Sequence, residues 1–327
     1  MNRRVVLVGN VVADLVLDVP ALPERGGDVL ATRTELTAGG GFNTLVAARR
    51  LGIETVYAGL HGTGPYGDLV RSALAEEDIH ALLPPRTDGD TGFTVALVDD
   101  GERTFVTSFG IEGRLTREET ARVRAELRTG DLVQLSGYAL ALPSNGPLLA
   151  EFATGLPDGV GLSLDPGPLV ADIPDEVLSP VLARVDWLSC NTREARLLGG
   201  TVGADAAASL RRRLRHGAGV LVRADRDGCW LAAPGSEPVH VPGFPVTAVD
   251  SNGAGDAHVG AFLALLGEGR NPLIAAQGAN AAAAYAVSRR GPATAPTRSQ
   301  LLGFLGSAAP ADQLRTPEPT ADGTSAA

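Results

Sequence analysis

The chain has 327 residues and a formal net charge of −10, and all 28 of its basic residues are Arg. With no Lys, Schiff-base chemistry is excluded, as are a phosphate loop ending in Gly-Lys-Ser/Thr and the protein-kinase strand Lys. The acidic balance excludes nucleic acid as an expected partner, because such binding rests on neutralising phosphates. There is no apolar run of ~18 residues, so no membrane partner is expected either.

Strands and helices alternate along the chain. Strand-like runs fall at Val5–Val8, Thr55–Ala58, Leu132–Leu135, Val160–Leu164, Trp187–Ser189 and Val220–Val222. Helical segments lie between them at Asn43–Leu51, Tyr66–Glu76, Arg117–Leu127 and Asp205–Arg215. This alternation predicts an α/β fold with a mostly parallel sheet covered on both faces. Two stretches break the rhythm. Val11–Thr37 alternates polar and apolar residues, and Thr91–Ser108 reads as a hairpin turning at Asp99–Glu102. Both predict antiparallel strands inserted as a small β lid. Two helices then follow, Ala257–Leu266 and Pro272–Ser288, and residues 307–327 have the composition of a disordered tail. Cys190 and Cys229 are too few for a disulfide framework or a cysteine zinc site, and the N-terminus reads as a strand rather than a signal peptide. A cytoplasmic location is the expectation. Arg211, Arg212, Arg213 and Arg215 read as a solvated helix face.

The chemistry concentrates at Asp250-Ser251-Asn252-Gly253-Ala254-Gly255-Asp256, which opens a helix. Small residues allow close backbone approach, and the N–H groups of a helix start converge on an anion. Asp256 at the edge of that spot would take a proton from a hydroxyl while the N–H groups hold a transferring phosphoryl group. A plain helix start, with Asp as a stabilising first-turn residue, is the simpler alternative. A dinucleotide-binding turn fits poorly, because these glycines do not follow the first strand.

Four further features accompany this segment: Ala38-Gly39-Gly40-Gly41-Phe42-Asn43, Asp14 after the first strand, Asn191-Thr192-Arg193-Glu194, and Asn280 in the Ala-rich helix. Together they resemble the ribokinase-like (PfkB) family of carbohydrate and nucleoside kinases. The resemblance implies a three-layer α/β/α fold over residues 1–306, with a lid from 11–37 and 91–108. It implies an ATP-dependent, Mg²⁺-requiring kinase acting on a sugar or sugar-like alcohol. It carries the catalytic base to Asp256 and the anion hole to Gly253, Ala254, Gly255 and the Asp256 N–H. Sugar contacts fall to Asp14, Gly40, Gly41 and Asn43. Asn191 and Glu194 would organise Mg²⁺ through water, and Asn280 would lie near adenine. Arg223 and Gly228 border the nucleotide. A monovalent cation, K⁺, is implied beside the anion hole through Asp250 and the carbonyls of Asn252, Ala286, Arg289 and Gly291.

The chain departs from the family pattern in places. Arg223-Ala224-Asp225 stands where the family has a small or hydroxyl residue, Leu and Gly, so Asp225 would repel phosphate unless Arg223 or Arg226 pairs with it. Gly64 replaces an Asp, which reads as a turn before a helix. Gly40 stands where several members have Lys. Without Lys only Arg could neutralise a phosphorylated acceptor. Arg33 and Arg103 lie in the lid segments, but a lone lid Arg is more often a solvated strand residue, which points to an unphosphorylated acceptor. His258 reads as packed beside the site. Two rival readings stay open. One is a nucleoside kinase using Phe93, Phe105 and Phe109 as a base shelf. The other is a sugar-binding regulatory protein that has lost catalysis. Exposed lid edges would suit a homodimer.

Overall fold

The run Arg-Val-Val-Leu-Val at the start of the chain is buried throughout, as a central strand covered on both faces must be. A computed structural model describes residues 3–100 and 102–308 of the chain. The strands are β1 (Arg4–Val8), β2 (Val11–Asp18), β3 (Arg33–Gly40), β4 (Glu54–Tyr57), β5 (His80–Ala81), β6 (Phe93–Asp99) and β7 (Glu102–Ser108), followed by β8 (Leu132–Ser136), β9 (Gly161–Asp165), β10 (Trp187–Asn191), β11 (Gly219–Arg223), β12 (Gly228–Ala232) and β13 (Val239–Pro242). The helices are α1 (Gly41–Arg50), α2 (Pro65–Glu76), α3 (Arg117–Glu126), α4 (Gly137–Leu140), α5 (Gly146–Thr154) and α6 (Asp175–Arg184), followed by α7 (Thr192–Gly199), α8 (Gly203–Arg211), α9 (Ala254–Gly267), α10 (Pro272–Val287) and α11 (Arg298–Ala308).

Among the described residues the main sheet has nine strands, in the order β13-β12-β11-β10-β9-β8-β1-β4-β5. The seven strands from β11 to β5 run parallel, and β12 and β13 close one edge antiparallel. Side chains alternate across β1. Val6 and Val8 join the core beneath α5, α6 and α8, while Val5 packs with α9 and Leu7 with α1. This is the expected three-layer arrangement. Both cysteines are buried and free.

The second sheet, ordered β3-β2-β6-β7, is the lid. The expected hairpin forms with Arg103 opposite Val98. Of the stretch 11–37 only its two ends are strand, and residues 19–32 connect them without regular structure. The last helix carries the fold to Ala308, two residues past the expected boundary, and the rest of the expected tail lies outside the described residues. Arg212, Arg213 and Arg215 are exposed, as a solvated face requires, but only Arg211 of the cluster lies on the helix. The helix ends at Arg211, and its guanidinium donates to the carbonyl oxygens of Ala233 and Ser236. Arg213 donates to the carbonyl of Leu198, and Arg215 pairs with Asp186. These side chains tie down loop carbonyls around a helix end, where cations are favoured.

α9 is apolar on nearly every side because it lies between the sheet and helices α1 and α10. Gly260 sets its distance from α1, since a Cβ there would stand 2.3 Å from the carbonyl oxygen of Thr44. Asp256 is one turn earlier on α9, so this close approach brings α1 side chains against it.

Candidate active site

The parallel strands end on one side of the sheet, where ligands bind in open α/β folds. A cavity of about 260 Å³ lies there beneath the lid. Its floor comes from residues at or just past strand ends: Asn10 after β1, Ser136 on β8, Asp165 on β9, Glu194 after β10 and Arg223 on β11. The lid supplies Asp14, Thr94, Phe105 and Thr107, and α1 and α9 supply Gly41, Asn43, Thr44, Gly255 and Asp256.

Gly253 precedes α9 in the left-handed region, at φ +72°, so the chain turns sharply into the helix and aims its first N–H groups at the cavity. Asp256 sits at the start of that helix. Thr44 donates to its Oδ1 at 2.8 Å and the Asn43 amide to its Oδ2 at 3.4 Å. Burial pushes the Asp256 carboxyl up to about 6, against these hydrogen bonds. It is therefore mostly ionised at pH 7 and close to the pKa that suits a general base.

Asp14 stands on the lid side of the cavity. Burial, reinforced by the charge of Asp256, raises it to about 7. Gly39 makes room for it, because a Cβ at that position would lie 1.8 Å from the Asp14 carboxylate. Gly40 has φ +61° and ψ −133°, a conformation essentially restricted to glycine, and a Cβ there would meet the Asn10 carbonyl at 2.9 Å. A Lys at position 40 is incompatible with this backbone. Three buried amide atoms have no partner: Asn10 Nδ2, Asn43 Oδ1 and Gln134 Oε1. All three residues line the cavity. In an open polar cavity such groups are met by water or by a bound ligand.

The other end is built on a carboxylate pair. Glu194 is raised to about 7 by burial and by Asp165. Arg223 pairs with Asp165 at 3.0 Å and with Glu194 at 3.5 Å, and donates to the Ser189 hydroxyl at 2.7 Å. A Cβ on Gly255 would lie 3.7 Å from its guanidinium, so Arg223 borders the anion hole. Asp225, the expected source of repulsion, is exposed and does not line the cavity, and neither Arg223 nor Arg226 needs to neutralise it. Arg223 is already the counter-charge of the Glu194–Asp165 pair, so a divalent cation would sit beside it and be reached by Glu194 through water rather than directly. Among the described residues no group of three or more His, Cys, Asp or Glu side chains could hold a metal ion. Water and phosphate oxygens would have to complete the shell, as suits Mg²⁺.

Not every expected residue reaches this cavity. Asn191 spends its side chain on a capping box with Glu194, accepting from the Glu194 N–H at 2.8 Å and donating to its carboxylate at 2.8 Å. It thereby positions Glu194 rather than facing the cavity. Gly228 lies where β12 meets the end of β13, and a Cβ there would strike the Val241 carbonyl at 2.2 Å. Asn280 is buried, donating to the carbonyls of Val241 and Pro242 and meeting His258 Nε2 at 3.1 Å. His258 is lowered to about 3 by burial, is neutral, and packs inside the protein. Phe93 packs on Tyr66 rather than on the cavity. Thr44, Tyr138, Asp165, Gln134 and Asn10 belong to the site although no motif marks them. Tyr138, raised to about 12 by burial and by Asp256, forms part of the wall.

Asp250 and Asn252 border a second cavity of about 450 Å³ with Gly291 and Arg103. The Asp250 carboxylate accepts from the Asn252 N–H at 2.8 Å, the Gly291 N–H at 2.9 Å and the Arg103 guanidinium. The Ala286 carbonyl already accepts from Arg289 N–H at 3.0 Å and from the Thr294 hydroxyl at 3.2 Å. The Arg289 guanidinium stacks on Tyr285. These residues do not fit a monovalent cation, because a side-chain cation already holds the carboxylate.

A helix N-terminus, a carboxylate beside it and a lidded polar cavity are the arrangement of a phosphotransferase that acts on an alcohol. The chain belongs to the pfkB family of carbohydrate kinases, whose family model matches residues 2–298. It is 36% identical to the uncharacterized sugar kinase YegV of Escherichia coli (strain K12), over 92% of this chain and 94% of that one. It is 33% identical to an ATP-dependent ribose-1-phosphate kinase of Halopiger xanaduensis, over 92% of this chain and 98% of that one. The fold matches a putative ribokinase II from E. coli in complex with ATP and Mg²⁺, with a TM-score of 0.79, 22% identity, and coverage of 93% of this chain and 99% of that one. No helix among the described residues is long and apolar enough to cross a membrane.

Proposed function

We propose that this enzyme transfers the γ-phosphoryl group of ATP to a hydroxymethyl or similar alcohol of an unphosphorylated sugar or sugar-like polyol. The carrying observation is the set of orphaned amide atoms on Asn10, Asn43 and Gln134 around the half-buried Asp14 carboxylate. Amides and carboxylates offer the paired donors and acceptors that vicinal hydroxyls need. The lid residues Arg33 and Arg103 are committed elsewhere. Arg33 pairs with Asp18 and Glu35, and Arg103 pairs with Asp250. Among the residues lining the cavity Arg223 is the only cation, and it stands at the donor end.

The acceptor hydroxyl lies between Asp256 and the anion hole. Asp256 takes its proton as the acceptor oxygen bonds to phosphorus and the bond to the departing ADP breaks. The N–H groups of residues 253–256 hold the transferring oxygens, a positioning and electrostatic contribution that needs no Lys. Glu194 would hold Mg²⁺ through water, with Arg223 beside it, and the metal would supply charge neutralisation on the phosphates. The lid excludes water and so limits wasteful hydrolysis. Its outer strands β3 and β7 leave Leu36 49% and Val106 63% exposed, a surface suited to pairing with a second copy.

A nucleoside acceptor is the second reading, because Phe105 and Phe109 line the cavity and offer a stacking face. Coupled ADP release over free sugars, sugar phosphates and nucleosides separates the two. Turnover with a free sugar or polyol at a higher kcat/KM than with its phosphate or with any nucleoside is the expected result. Preference for a phosphorylated acceptor or a nucleoside would overturn it.

A further inference from the structure

Arg103 projects from lid strand β7 to Asp250, on the loop that runs into the anion hole. Both side chains are largely buried, 13% and 9% exposed. Asp250 joins three segments through one carboxylate: its own loop through the Asn252 N–H, the loop after α10 through the Gly291 N–H, and the lid through Arg103. Burial alone would raise the Asp250 carboxyl, but the two N–H groups and the guanidinium outweigh it and hold the group below its ordinary value. Arg103 leaves its Nε buried and without a hydrogen-bond partner. A guanidinium that gives up a hydrogen bond to stand here is held by charge. Its field also reaches Asp14, where it opposes the rise caused by burial and Asp256.

We propose that Arg103 is a built-in cation for the anion-hole loop, so that the enzyme needs no monovalent metal ion beside Asp250. The carboxylate oxygens are already taken by two N–H groups and the guanidinium, and a second cation there would be repelled by the first. The arrangement also ties the lid to the anion hole. The charge that fixes the Asp250–Gly253 turn comes from a strand that covers the acceptor end, so Arg103 is a positioning residue acting through Asp250. The inference presumes the kinase reading only where it concerns rate.

The test compares KCl with choline chloride at constant ionic strength, reading the thermal midpoint of the ligand-free protein and the rate of ADP release. The unmodified protein should show the same midpoint and rate in both salts. Arg103→Gln should lose about tenfold in kcat in choline chloride, a scale usual for coupling between sites. KCl should then restore part of that loss and raise the ligand-free midpoint saturably. Arg103→Lys, which keeps the charge, should remain indifferent to K⁺. A saturable K⁺-specific rise in the midpoint or rate of the unmodified protein would overturn the proposal. So would an Arg103→Gln variant that behaves identically in the two salts. The midpoint readings need no acceptor, so they decide the matter even if no panel sugar is turned over.

Discussion

A Cβ at Gly260 would lie 2.3 Å from the carbonyl oxygen of Thr44, and the hydroxyl of the same Thr44 donates to Asp256 at 2.8 Å. One glycine thus sets the distance from which α1 orients the Asp256 carboxylate. Gly260→Ala should destabilise the protein even though Ala favours a helix interior by about 1 kcal/mol over Gly. It should also lower kcat, because separating the helices draws Thr44 from Asp256. Chemical denaturation and steady-state rates check both effects. A more stable, fully active variant would show that the helices have slack at this point.

Thr44→Val tests the hydrogen bond itself. That bond lowers the Asp256 carboxyl against the upward push of burial. Its loss should move the acid limb of the kcat/KM profile to higher pH and cost about 1 kcal/mol of stability. An acid limb that does not move would separate Thr44 from the base.

Stability should follow pH with a definite sign. Asp14 is raised from 3.8 to about 7 and Asp256 from 3.8 to about 6. Between those limits the native state binds more protons than the unfolded chain, so these two groups make stability fall as pH rises. Asp14→Asn should therefore raise the thermal midpoint at pH 8 and leave it nearly unchanged at pH 4, while weakening acceptor binding. Calorimetric melts at the two pH values read this directly. An equal shift at both would point to a cause other than titration.

Arg223→Ala leaves Asp165 and Glu194 facing each other without their shared counter-charge. Breaking a buried pair on one side costs about 3–5 kcal/mol, so a lower thermal midpoint is expected. The KM for ATP should rise as well, since the guanidinium borders the anion hole. Arg223→Lys should recover part of both. An unchanged KM for ATP in a folded variant would remove Arg223 from donor binding.

Much of this molecule can be read along the chain, and what escapes has a physical cause. Six of the seven parallel strands were legible because each is a short apolar run, while the two-residue β5 was not, and the Gly-Ala-Gly-Asp turn was legible because its chemistry is local. Helices α4, α5, α6, α7 and α11 were not predicted. α6 contains Pro180, and α7 is only eight residues long. Edge strand β13 escaped because three of its four residues are exposed, whereas β12 was missed although Cys229–Ala232 is apolar throughout. Asp165, Glu194 and Arg223 lie far apart in sequence and meet only because three adjacent strands end together. Asn280 looked like a ligand residue by position, yet its amide serves two carbonyls inside the fold. Gly64 looked like the loss of an Asp. The carboxylate of Asp90 stands there instead, accepting from the Tyr66 and Gly67 N–H groups at the start of α2 at 3.1 and 2.8 Å. A Cβ on Gly64 would lie 2.4 Å from it, a long-range exchange that one segment cannot reveal.

The most direct test of the whole account is ADP release by Asp256→Asn with the best acceptor from the panel. Loss of a positioned general base should lower kcat by roughly 10²–10⁴-fold. The thermal midpoint at pH 8 should meanwhile equal or exceed that of the unmodified protein, because a buried charge has been removed. Turnover close to the unmodified rate in this folded variant would contradict the assignment of Asp256 as the base.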